Sequence, residues 1–222
     1  EYIAQTFGLE FGKNFTYRLS LGDRKDDKKY YKNDKAWDQA EDILRQTLKE
    51  MKRDFVEAPD EASFYGPKID VQMKNVLGKE DTAFTVQYDF VMPERFNLVY
   101  TDKKGKEKKA IVIHRSSVGA LERVIAFLIE HFAGAFPLWL SPIHVKIITV
   151  GEGHIEFSKK MAKEFQSEGI RVEIDHSDET VGNKIRKSSQ EKMPYTLVIG
   201  DKEMNSDDLA VRVRGKKDLL NI

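Results

Sequence analysis

Phe136-Pro137-Leu138-Trp139-Leu140-Ser141-Pro142 divides this chain into two rhythms. A proline lacks a backbone N–H and clashes with the preceding turn, so a segment carrying two of them cannot continue a helix. Before it, apolar–polar alternation recurs over residues 64–71, 83–90, 97–101 and 110–114, with a shorter run at 17–21. Gly105, set among charges at 103–108, reads as a hairpin turn. Strands that follow one another without intervening helices imply an antiparallel sheet. Two amphipathic helices accompany them. One spans 35–52, with Trp37, Ala40, Ile43, Leu44, Leu48 and Met51 at helical spacing and Asp34 as its N-cap. The other spans 117–132, with Val118, Leu121, Ile125, Leu128 and Ile129 as its apolar stripe and Gly134 at its end.

After the prolines the rhythm alternates. A strand at 145–150 leads to a helix at 155–166 that Gly169 ends; a strand at 171–174 follows. A helix at 181–192, a strand at 196–199 and a strand pair around 211–213 complete the chain. Strands and helices in alternation, joined by short loops, indicate a small α/β domain with a mixed or parallel sheet. The expected organisation is therefore α+β over residues 1–140 and α/β over 141–222. The Asp- and Lys-rich stretch 23–35 reads as a solvated loop, and no internal repeat is visible.

Composition excludes more than it identifies. The 222 residues are 40% hydrophobic and 10% aromatic, ample for packed cores. Lys+Arg and Asp+Glu balance at 37 each, so any surface for nucleic acid must be local rather than global. With no Cys, the chain forms no disulfide and no thiolate metal site, which suits a reducing compartment. The longest apolar run, 124–129, is far short of the roughly 20 residues that span a bilayer. No signal peptide opens the chain, so a cytoplasmic protein with no membrane partner is expected. It begins at Glu1, not Met, in what reads as mid-element, as an excerpt of a longer protein would.

Three segments are recognisable in order and spacing. They are Glu61-Ala62-Ser63-Phe64-Tyr65-Gly66-Pro67-Lys68-Ile69-Asp70; Thr85-Val86-Gln87-Tyr88-Asp89-Phe90 with Pro93-Glu94-Arg95-Phe96; and His114-Arg115 with Gly119-Ala120-Leu121-Glu122-Arg123. With Phe132-Ala133-Gly134-Ala135-Phe136-Pro137, Gly169-Ile170-Arg171-Val172 and Gly200-Asp201-Lys202-Glu203, the chain resembles the threonyl-tRNA synthetases over essentially its whole length. The resemblance implies the last part of a class II catalytic domain, with its third signature motif but not its first two, followed by an anticodon-binding domain.

It also implies an activity. Such enzymes activate threonine with ATP and Mg2+ and pass it to tRNA(Thr), and the full-length enzyme is expected to be a homodimer. Arg123, in the third motif, would hold the nucleotide, since a planar, permanently charged guanidinium can bind phosphate oxygens or stack on adenine. Tyr65, Lys68 and Gln87 match the threonyl-adenylate pocket, and residues 82–85, with Thr82 and Thr85 at its ends, match a nucleotide-contacting stretch. Thr82 and Ala120 stand where relatives carry Gln and Ser, so neither is given a side-chain role. His114 matches one of three ligands to a zinc ion that engages the threonine hydroxyl and rejects valine. The other two, a Cys and a His, lie upstream in the family, so this chain alone should not build the site and should not activate threonine.

In the second domain, Arg212 and Glu203 match positions that read anticodon bases, by pairing with a guanine edge and accepting from a base amino group. Lys184, Arg186, Lys187 and Lys192 would meet tRNA phosphates from the second helix of that domain. Asp178 and Thr180 depart from the Asn and Lys of relatives. The rival reading is a stand-alone, non-catalytic tRNA-binding or regulatory module.

Overall fold

Alternation along residues 68–74 sets the first sheet: Lys68, Asp70 and Gln72 share one face, Ile69, Val71 and Met73 the other. The computed structural model describes residues 1–206 and 208–221, and the chain divides into two units, Glu1–Phe127 and Leu128–Ile222. In the first lie α1 (Tyr2–Thr6), β1 (Phe15–Ser20), α2 (Asp34–Glu50), β2 (Phe55–Ala58), β3 (Lys68–Lys74), β4 (Glu80–Asp89), α3 (Met92–Arg95), β5 (Val99–Thr101), β6 (Glu107–Lys109) and β7 (Val112–Arg115). α4 (Leu121–His131) spans the division. The main sheet runs β2-β1-β3-β4-β7, antiparallel except that β2 lies parallel to β1.

The odd face of this sheet is apolar and looks toward α2. Trp37, Ala40, Leu44 and Leu48 are the buried apolar positions of α2. Between this helix and Ile69, Val71, Phe84 and Val86 lies an open hollow of about 420 Å³. Trp37 is the anchor at the helix start: its ring meets Tyr30 and Phe90 edge-on, and its indole N–H donates to the Tyr31 carbonyl at 2.8 Å. Tyr30 is 4% exposed, so the charged stretch 23–35 is not solvated throughout.

Several sequence expectations shift. The α2 cap is Asn33, whose side chain accepts from the Ala36 N–H at 3.2 Å; Asp34 belongs to the first turn, where a carboxylate suits the helix dipole. The strand expected at 64–71 starts only at Lys68, because Pro67 has no N–H for the ladder. The strand expected at 110–114 does not close the hairpin; β6 does that, and β7 leaves to pair with β4. Helix α4 buries Val124 and Leu128, while Leu121, Ile125 and Ile129 of the expected stripe are exposed. Both flanks of α4 are apolar, so periodicity alone could not choose between them.

The second unit holds β8 (Val145–Thr149), α5 (Ile155–Ser167), β9 (Val172–Asp175), α6 (Val181–Gln190), β10 (Tyr195–Ile199), α7 (Asp201–Met204), β11 (Ala210–Val213) and β12 (Leu220–Asn221). Its sheet, β12-β11-β10-β8-β9, is mixed: β8 is parallel to β9 and β10, and β11 is antiparallel to β10 and β12. Val145, Ile147 and Leu197 pack with Ala162 of α5 in one apolar cluster. Lys146 and Thr196 look the other way, toward α6, where Thr196 shares a 2.6 Å hydrogen bond with Ser188.

Lys146 is 4% exposed and donates to Glu173 at 2.9 Å and Glu191 at 2.5 Å, tying the end of α6 to the sheet. Burial works against its charge, but the hydrogen bonds to Glu191 and Glu173 outweigh burial and hold the ammonium above the ordinary lysine range. A raised value in the fold adds stability that is complete below the unfolded lysine value and is lost as pH rises through the folded one. Glu191→Gln should therefore unfold at lower urea than wild type at neutral pH. The gap should close as pH climbs past the lysine range.

Candidate functional site

Register gathers the expected catalytic residues. Ser20, Lys68, Gln87 and His114 lie in one row across β1, β3, β4 and β7, on the even face of the sheet. The next row along is Arg18, Asp70 and Thr85. Asp70 is fully buried, and its carboxylate accepts from Ser20 at 2.7 Å, Lys68 at 2.9 Å, Thr85 at 3.0 Å and Arg18 at 3.3 Å. That ring of donors fixes Lys68 beside Gln87 instead of leaving a long flexible cation in solvent.

Thr82 joins this face only through an irregularity. Val71 pairs with Phe84 and Gln72 with Thr82, so Ala83 is an extra residue in β4. In a regular strand Thr82 and Thr85, three apart, would point to opposite faces; the bulge brings them to the same one. The Thr82 hydroxyl accepts from the Gln72 amide at 2.7 Å.

The loop before α4 is docked on the same bulge. Gly119 has φ +66°, and a Cβ there would lie 1.8 Å from the Ala83 carbonyl oxygen. Its N–H donates to the Ser116 hydroxyl at 2.7 Å. Arg123, in the first turn of α4, donates to the Thr82 carbonyl at 2.5 Å while its side chain stays exposed. Arg123 thus stands two rows from His114, roughly 13 Å along the strands at about 3.3 Å per residue.

At the other end of β4, Gly66 plays the matching steric part: a Cβ there would lie 1.7 Å from the Tyr88 carbonyl oxygen. This close approach sets Tyr65 against the sheet. The Tyr65 hydroxyl donates to the Gln87 side-chain carbonyl, and its ring lies 5.5 Å from that of His114. His114 Nε2 is 2.7 Å from the buried carboxylate of Asp89. Asp70 and Asp89 stood inside the recognisable segments without a role. The spacings Lys68-x-Asp70 and Gln87-x-Asp89 already place each on the site face.

In the second unit the expected tRNA-contacting residues separate. Arg212 is exposed on β11, in one row with Thr196 and hence on the α6 side of the sheet. Arg186 is exposed on α6, its guanidinium held by Asn183 at 2.8 Å. Glu203 is half-buried and accepts from the Gly200 N–H at 3.1 Å, so it also caps α7. Thr180 is the N-cap of α6. Lys187 pairs with Glu179 and holds that carboxyl below the usual range. Lys184 departs from expectation. It is 2% exposed, and its ammonium donates to the Thr149 carbonyl at 3.1 Å. A lysine so enclosed braces α6 against the end of β8 and does not reach a phosphate.

Residues 17–132 match the family model "tRNA synthetase class II core domain (G, H, P, S and T)". The chain belongs to this class II synthetase family. Residues 144–222 match a second model, described as an anticodon binding domain. Relatives include the threonine–tRNA ligase of Halalkalibacterium halodurans, 45% identical over 97% of this chain and 33% of that protein. The threonine–tRNA ligase of Clostridium botulinum is 43% identical over 98% of this chain and 34% of its own length. The chain thus spans about a third of the curated relatives it matches. Among solved structures, the RNA binding domain of threonyl-tRNA synthetase from Cryptosporidium parvum superposes with a TM-score of 0.86 at 32% identity, covering 100% of this chain and 54% of that one. These matches bear out the resemblance and the two-part fold class read from the sequence.

Gly66 and Gly119 both abut carbonyls of β4 where no side chain fits. Gly119→Ala must push the loop off the Ala83 carbonyl, adding strain at a positive φ to a backbone clash. The expected result is a fall in melting temperature together with faster hydrogen exchange in residues 116–123. Ala120→Gly in the same loop should leave that exchange pattern in place.

Proposed function

We propose that this chain contributes to threonine–tRNA ligation: activation of threonine with ATP and its transfer to tRNA(Thr). The observation that carries this reading is the Lys68–Gln87–His114 row, with Tyr65 bonded to Gln87 and Arg123 held two rows away. One end offers hydrogen-bonding groups and an imidazole for an amino acid. The other offers a guanidinium for a nucleotide, and the separation suits an aminoacyl-adenylate lying along β4. Tyr65 and Gln87 orient the amino acid, Lys68 meets negative charge on the adenylate, and Arg123 holds the triphosphate of ATP, which enters with Mg2+. Thr85 supplies backbone groups beside the nucleotide, and the Thr82 carbonyl steadies Arg123.

His114 fits a zinc ligand by its chemistry: an imidazole with one nitrogen engaged by a carboxylate and the other free of partners among the described residues. Those residues form no cluster of three metal-binding side chains, so the remaining ligands would come from outside this chain. When bound, zinc would supply Lewis-acid recognition of the threonine amino and hydroxyl groups. Residues 1–140 form the catalytic part and 141–222 the anticodon part in this reading, with Arg212, Arg186 and Glu203 facing tRNA. The assembled enzyme works as a homodimer in the cytoplasm; no helix among the described residues is long and apolar enough to cross a membrane.

Joining the chain to the other two thirds of the Halalkalibacterium ligase tests this directly. The chimera should catalyse threonine-dependent ATP–pyrophosphate exchange, and Arg123→Ala should slow that exchange on the order of 10²-fold. A folded chimera that activates a different amino acid, or none, would overturn the proposal. For the anticodon part, Arg212→Ala should weaken tRNA(Thr) binding by about 1–3 kcal/mol at unchanged melting temperature. Lys184→Met should do the reverse, lowering the melting temperature by removing a buried charge-assisted bond.

A further inference from the structure

Asp89 has two oxygens with two separate duties. Oδ1 accepts from the backbone N–H groups of Val91 and Met92 at 3.0 and 2.9 Å, capping the turn that starts α3. Oδ2 lies 2.7 Å from His114 Nε2. Asp89 is fully buried, and no other hydrogen bond among the described residues reaches Oδ2. A carboxylate can only accept, so the ring nitrogen facing it must carry the proton. In the neutral ring the other nitrogen, Nδ1, then keeps its lone pair, and His114 keeps 47% of its side chain exposed on the site face. The Tyr65 ring packed beside it limits rotation of the imidazole away from this arrangement.

We propose that Asp89 is a positioning residue, which selects the Nε2–H tautomer of His114 so that Nδ1 is presented to the site as a lone-pair donor. The selection belongs to this chain and needs no bound partner; only what Nδ1 meets rests on the function proposed above. Asp89 touches no substrate in this scheme. It acts through His114, and because its other oxygen pins residues 91–92, the carboxylate cannot swing away from the ring without uncapping α3.

Asp89→Asn separates the two duties. The Asn side-chain carbonyl can still accept from Val91 and Met92, leaving its NH2 group toward His114. Two donors cannot face each other, so Nε2 must become the acceptor and the proton must move to Nδ1. Two-bond 1H–15N spectra of the 222-residue chain, recorded where the ring is neutral, report which nitrogen is protonated. The His114 signals are assigned by their loss in His114→Gln. The expected result is an Nε2–H ring in wild type and an Nδ1–H ring in Asp89→Asn. An Nδ1–H ring in wild type, or the same tautomer in both proteins, would overturn the assignment. Should Asp89→Asn unfold, the wild-type spectrum alone decides. Failure of the threonine chimera would leave this readout untouched, so the two proposals stand or fall separately.

Discussion

One extra residue in β4 governs the site. Without Ala83, Thr82 would face the apolar side of the sheet, and the backbone against which Gly119 rests would run in a different register. The loop before α4 and the Arg123 anchor both take their position from that bulge. A bulge is local, yet here it couples two distant stretches of chain, because a glycine with no Cβ can lie against the exposed carbonyl it creates. The rest of the polar face then follows the ordinary two-residue period of the strands.

That face places two carboxylates, Asp70 and Asp89, entirely out of water. Burying a charge is expensive unless its oxygens are filled, and both are: Asp70 by four side-chain donors, Asp89 by two backbone N–H groups and an imidazole. The gain is rigidity where long side chains would otherwise wander. Lys68 and Arg18 share one fixed acceptor, and His114 is held by another. Removing either carboxylate would leave its donors without that acceptor, so both hold the polar face in its arrangement.

Much of this was legible in the sequence, for reasons that can be named. The row of Lys68, Gln87 and His114 lies within segments distinctive enough to be recognised together, and the change of rhythm at the two prolines separated the α+β from the α/β part. The bulge was not legible, because one inserted residue leaves the alternation of residues 80–89 readable in either phase. β2 was missed because Phe55-Val56-Glu57-Ala58 is short and its partner, β1, lies some 40 residues earlier. Lys184 misled because a lysine on an amphipathic helix normally faces water, and only the packed sheet shows that its side of α6 turns inward. Burial of charge is a property of the assembled unit, invisible to composition.

The proline-bearing segment 136–142 reads as a free connection, yet two arginines of the second unit fasten it. Arg171 donates to the carbonyls of Trp139, Ser141 and Pro142, and Arg214 to that of Phe136 at 2.6 Å. Leu138–Leu140 make a single 3-10 turn, and the guanidinium groups satisfy carbonyls around it that no strand or helix partners. Anyone excising the anticodon part for separate study should keep this strap, since a cut at its C-terminal proline would take from Arg171 the Trp139 and Ser141 carbonyls and leave Arg214 only that of Lys192. The prolines that bar a regular helix or strand over 136–142 thus leave carbonyls free to be claimed by side chains from later in the chain.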